Sequence, residues 1–272
     1  MDDYQNPEEK VKELEKRLED LTKKSKEGLW QTRAIPAAII ITGFLIAVAI
    51  YYSGGGDLAV KNNATVFNDY DRNPSFTDVS PQNVRPVNSE DHIVGNALAP
   101  IKIIEFSDLE CPFCKKFHPS LKLLMEEYGS KGQVAWVFRH FPLDSIHSKA
   151  RKEAQATECA NELGGNEAFW TYIDKLYEIT PSNNQLDLNL LPKIAEDIGL
   201  SRTKFLACLD GGTEGGKYAN HIEADYQDAS VSGGTGTPYS IIIAPSGETY
   251  PITGAQSYTA LKALVELALK EK

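Results

Sequence analysis

Two cysteines separated by two residues, in Cys111-Pro112-Phe113-Cys114, are the side chains of this 272-residue chain best suited to chemistry. That gap lets the two sulfurs meet and close a small disulfide loop. The pair follows an apolar run and opens a helical pattern. A helix start presents free N–H groups and a partial positive charge, both of which stabilise a thiolate at Cys111. Lys115 and Lys116 add a favourable field of the same sign. A zinc site is the competing use of such a pair, but it requires two further ligands, usually a second paired set. Cys159 and Cys208 are single, distant, and each on an apolar helical face. His92, His118, His140, His147 and His221 lack metal-ligand spacing and are assigned no role. The spacing predicts redox chemistry and no metal.

Positioning that pair falls to alternating β and α segments. Ile101 to Phe106 is a β-branched run expected to be a central strand, with Glu105 inside it. Phe117, Leu121, Leu124 and Tyr128 keep helical spacing after the cysteines, with Pro119 expected to kink the helix and Gly129 to end it. Val134 to Phe138 is a second strand, so a right-handed crossover and parallel pairing are expected. Four or five helical segments follow, one of them ending at Gly164-Gly165 and another carrying Phe205 and Cys208 after a Ser201 cap. After Gly233-Gly234-Thr235-Gly236-Thr237-Pro238 the β signal returns as a hairpin, Tyr239 to Ala244 and Glu248 to Ile252, and a last helix carries Leu261, Leu264, Val265 and Ala268. The fold class is α/β, with a helical insertion at about 145–230 splitting one domain that spans 91–272.

The stretch from about Asp91 to Lys270 resembles the DsbA-like branch of the thioredoxin superfamily. Its marks are IIEFSDLECPFCKKF, the helical block with Phe169-Trp170, GTGTPYSIII, and the closing helix. The resemblance implies a thioredoxin-like fold around a central mixed sheet, and thiol–disulfide exchange without a bound cofactor. It implies that Cys111 is the exposed sulfur attacked by a substrate thiolate and that Cys114 is its buried partner. Pro238 matches the cis-proline facing the pair, and Thr237 offers backbone groups to a substrate strand; Pro112 and Phe113 complete the contact surface. Glu105 matches a buried acid that exchanges a proton with Cys114. Phe113 stands where strongly oxidising members carry His, so weaker stabilisation of the reduced form is expected. Cys159 and Cys208 are expected to form a structural disulfide between two insert helices rather than an electron relay.

Residues 34–52 carry no charged side chain and would span roughly 28 Å as a helix, close to the thickness of a bilayer core. Lys23, Lys24, Lys26 and Arg33 precede this run and an acidic stretch follows it. The positive-inside rule then predicts a cytoplasmic tail at 1–33, a single-pass anchor at 34–52, and an extracytoplasmic remainder. Val11, Leu14, Leu18 and Leu21 form a short apolar stripe on the tail, and 53–90 reads as a flexible spacer. A formal net charge of −10 argues against nucleic-acid binding. The expected protein is a membrane-anchored oxidoreductase acting on unfolded or reduced exported proteins. Its implied re-oxidant is a quinone-linked membrane partner of the DsbB or VKOR type. A reductase or isomerase of the same fold, or a non-redox peptide-binding chaperone, are the alternatives.

Overall fold

The computed structural model describes residues 79–212 and 215–271. The expected tail and anchor lie outside them. Among the described residues no helix is long and apolar enough to cross a membrane.

Strands β1 (His92–Gly95), β2 (Ile101–Ser107), β3 (Val134–His140), β4 (Tyr239–Ile243) and β5 (Thr249–Thr253) form one sheet in the order β1-β3-β2-β4-β5. The β2–β3 pair is parallel, as its crossover demands, and the other three pairs are antiparallel. The sheet is therefore mixed. β1 was not anticipated, because four residues are too few to show a period. Every residue of β3 is buried: Val134 to Phe138 form an uninterrupted apolar run rather than an alternating one, and Arg139 and His140 follow as buried polar residues.

Strand alternation sorts the sheet into two faces. Ile101, Ile103, Val134, Trp136 and Phe138 pack against helix α1 (Pro112–Leu124), the C-terminal helix α6 (Tyr258–Ala268) and the insert. Ile104, Phe106, Val137 and Ile241 pack on the opposite face, against Ala229 of α5 (Ala219–Val231) and Val84. Glu105, in step with Ile101 and Ile103, thus falls on the face that carries α1. α1 runs through Pro119 to Leu124 and continues as a π turn, Met125–Gly129.

The insert holds α2 (Ala150–Ile179), α3 (Leu191–Asp197) and α4 (Arg202–Leu209). α2 is interrupted at Gly165, whose φ of 72° and ψ of −171° are open to glycine but not to residues with a Cβ. The expected break at Gly164-Gly165 is therefore present, and α2 is two helical segments that meet at a kink there. Cys159 of α2 and Cys208 of α4 are disulfide-bonded, with Cα atoms 5.8 Å apart. The insertion is shorter than the expected 145–230, since α5 covers the sheet. Residues 79–90, expected to close a flexible spacer, instead pack on the domain. The Arg85 backbone N–H donates to Asp228 Oδ1 at 2.7 Å, and the Arg139 guanidinium joins the Arg85 carbonyl, Asp91 and Asp228. A buried arginine needs every one of those acceptors, and that need fixes the segment in place.

Candidate active site

Cys111 is the N-cap of α1, with extended backbone (φ −78°, ψ 120°), and Pro112 occupies the first helical turn, where a missing N–H costs nothing. One turn on, Cys114 faces inward and is fully buried. Both cysteines are free thiols. The Thr237–Pro238 peptide is cis. The Cys111 Sγ lies 3.5 Å from the Thr237 carbonyl oxygen, so the loop before β4 meets the start of α1 at this sulfur. Cys111 is less open than expected, only 3% exposed, with that loop packed against it. Phe113 beside it is 61% exposed.

The two thiols are electrically unequal. The Cys111 thiol is lowered to about 6, first by hydrogen bonding from the Cys114 thiol. Burial opposes the shift, while Thr237 and the backbone N–H groups of Cys114 and Phe113 add to it. The buried Thr237 hydroxyl has no other partner among the described residues, which leaves it available to the sulfur. Cys114 is pushed well above the ordinary thiol value by burial, then by Cys111 and the Glu105 charge. The pair therefore carries one thiolate, on the outer sulfur. Lys115 contributes less to this than its position suggests, since its ammonium donates to the Thr180 carbonyl at 2.6 Å.

Glu105 sits in β2 with no exposure, where burial raises its carboxyl to about 7 despite two hydrogen bonds that favour the carboxylate. Ser107 Oγ donates to Oε1 at 2.9 Å, and the Trp136 indole N–H donates to Oε2 at 3.0 Å. The Tyr177 hydroxyl lies 3.2 Å from Ser107 Oγ and extends the network into the insert. Such a carboxyl can both give and take a proton near neutral pH.

Sequence reasoning missed the supporting groups. Asp108 is a buried hub: its Oδ1 accepts from Glu110 N–H at 2.8 Å, and its Oδ2 accepts from Leu143 N–H at 2.8 Å and pairs with His147 Nδ1 at 2.9 Å. The Asp108 backbone N–H also points at Cys114 Sγ, 3.5 Å away. His147 is raised above its ordinary value by Asp108, against burial, and it feels the charge on Cys111. Glu153 of α2 is pushed up to about 10 by burial and then by Glu110, so it stays neutral beside Glu110 and Asp108. Only the placement of Asp108 and Glu110 immediately before Cys111 hinted at this; His147 and Glu153 lie 36 and 42 residues further on and gave no signal.

A low thiol at a helix start, a buried partner thiol and a buried acid can together perform thiol–disulfide exchange. Residues 87–266 match the family model described as Thioredoxin. Among curated proteins the chain is similar to the Na(+)/H(+) antiporter NhaA 3 of Salinispora tropica, 33% identical over 152 residues covering 54% of this chain and 21% of that protein. It is similar also to the Na(+)/H(+) antiporter NhaA 1 of Salinispora arenicola, 30% identical over 152 residues covering 54% and 21%. The chain spans about a fifth of the length of these relatives. Among solved structures, Pseudomonas aeruginosa DsbA2 is 28% identical with a TM-score of 0.55, covering 69% of this chain and 98% of that one. Oxidised BdbD from Bacillus subtilis, 23% identical with a TM-score of 0.59 and covering 69% and 97%, shares the fold. Matched over most of its described residues by the family model and by the DsbA2 structure, the chain belongs to the thioredoxin family, in its DsbA-like form with a mixed sheet and a helical insertion.

Proposed function

We propose that this protein is a membrane-anchored thiol–disulfide oxidoreductase that forms disulfides in exported proteins through Cys111 and Cys114. The observation that carries the reading is the asymmetry of the pair: an outer thiol lowered to about 6 against the Thr237-Pro238 loop, over an inner thiol held neutral.

With the pair oxidised, a substrate thiolate attacks Cys111 Sγ. The substrate–Cys111 bond forms as the Cys111–Cys114 bond breaks, and Cys114 leaves with the electron pair. Glu105 supplies the proton that Cys114, held far above the ordinary thiol value, then takes up. A second substrate thiolate attacks the substrate sulfur of the mixed disulfide, and Cys111 departs as a thiolate, which its low pKa favours. Two electrons have passed from substrate to protein. A substrate strand lying along Thr237 and Pro238, flanked by Pro112 and Phe113, would hold its sulfur beside Cys111. A quinone-linked membrane partner of the DsbB or VKOR type would remove the electrons, and residues 34–52 would hold the domain outside the cytoplasm.

Replacing Cys114 with Ala and capturing covalent complexes from an exporting cell tests the reading. Mixed disulfides through Cys111 with exported proteins, absent when Cys111 is also replaced, are expected. Recovery of no thiol-linked client would overturn it.

A further inference from the structure

Far apart in the chain, His92 of β1, His140 at the end of β3, Glu158 of α2 and His221 of α5 converge on one oxygen atom. Glu158 Oε1 lies 2.8 Å from His92 Nε2, 3.0 Å from His140 Nε2 and 3.6 Å from His221 Nε2. Glu158 is 3% exposed, and His92 and His140 are buried with it. The His221 side chain, 21% exposed, forms the side open to solvent. Its Nε2 is 3.6 Å from Glu158 and 3.8 Å from Asp225 Oδ2, and neither distance is a hydrogen bond. A third imidazole nitrogen thus turns into the cluster without bonding to the carboxylates that face it.

We infer that His92, Glu158 and His221 form a binding site for a divalent transition metal, with zinc the ion their chemistry best fits. One ligand atom from each of His92, Glu158 and His221 lies within 4.8 Å of the other two. Tetrahedral zinc with bonds of about 2.0–2.2 Å holds its ligand atoms roughly 3.3 Å apart, so small side-chain movements close the set. Two imidazoles and one carboxylate are a borderline-soft donor set, favouring zinc over calcium or magnesium, which take oxygen ligands. His140 is the orienting partner, donating to the same carboxylate, as second groups around metal ligands do. Remaining coordination falls to water on the His221 side. The ligands come from β1, α2 and α5, so a bound ion would pin the insert and the sheet-covering α5 to the edge strand.

The test uses the full chain in detergent, treated with chelator and with Cys111–Cys114 oxidised so that no thiol competes. Isothermal titration with zinc chloride is expected to show one ion per chain and a raised melting temperature. His221→Ala, at the solvent side where folding tolerates it, should weaken binding roughly tenfold or more and remove the thermal gain. Cobalt should give visible absorption bands of a four-coordinate ion, lost in the same variant. Absence of stoichiometric zinc uptake by the oxidised protein overturns the inference. So does uptake that His221→Ala leaves unchanged.

Discussion

The Trp136 indole N–H donates to Oε2 of Glu105 at 3.0 Å, linking the middle of β3 to the buried acid of β2. A donor aimed at the carboxylate favours the charged form, so Trp136 holds Glu105 lower than burial alone would. Trp136→Phe should therefore move the Glu105 carboxyl above its present value of about 7. The pH profile of mixed-disulfide formation should shift to higher pH with it. Glu105→Gln should slow that step roughly a hundredfold near neutral pH. Stopped-flow fluorescence with a reduced peptide measures both; an unchanged profile in Trp136→Phe would separate Glu105 from the proton transfer.

The Cys111 thiol, lowered to about 6, lies below an unfolded thiol at about 8.5. A depressed acid stabilises the fold fully above the unfolded value, and that stabilisation is lost as pH falls towards the folded one. Oxidation removes the titrating thiol. The stability of the reduced protein relative to the oxidised should thus rise with pH between about 6 and 8.5, by at most about 1.4 kcal/mol per unit. Urea unfolding of both forms across that range reads it out, with thiolate absorbance giving the midpoint. A flat difference, with a midpoint near the free-thiol value, would remove the basis for the leaving-group role.

Phe113, 61% exposed beside the outer sulfur, offers neither charge nor a hydrogen bond. Phe113→His should lower Cys111 by about one further unit and shift the equilibrium with glutathione about tenfold towards the dithiol. Quantifying the redox equilibrium by alkylation and mass spectrometry gives the answer; an unmoved equilibrium would mean that the residue at this position does not set oxidising strength here.

Breaking the Cys159–Cys208 disulfide, which closes a 49-residue separation, should cost up to about 4 kcal/mol while leaving exchange at Cys111 intact. Urea unfolding of the Cys159→Ala/Cys208→Ala variant, paired with an exchange assay, checks both halves. Equal loss of stability and exchange rate at low denaturant would give this disulfide a role beyond bracing α2 against α4.

Deleting residues 34–52 should move the protein from an alkali-resistant membrane pellet into the soluble fraction. Persistence in the pellet would place the attachment elsewhere in the chain.

The Cys111–Cys114 pair at a helix start, the β-α-β unit, the hairpin, the break at Gly165 and the cysteines that join α2 to α4 were all legible in the chain. Each is a local matter of spacing, period or turn chemistry, set within a few residues or by the count of cysteines. Glu105 was legible as an acid within an apolar run, but its anchors Ser107, Trp136 and Tyr177 were not. Trp136 and Tyr177 lie on other elements, and strand register and helix docking bring them together. The packing of residues 79–90 against Arg139 was hidden for a like reason: the polar segment joins the domain because a buried guanidinium demands acceptors. His92, His140 and His221 showed no pattern because metal-ligand spacing along a chain reports only ligands on neighbouring turns. Their meeting at Glu158 depends on how an edge strand, a central strand and two helices pack, and that relation exists only once the chain is folded.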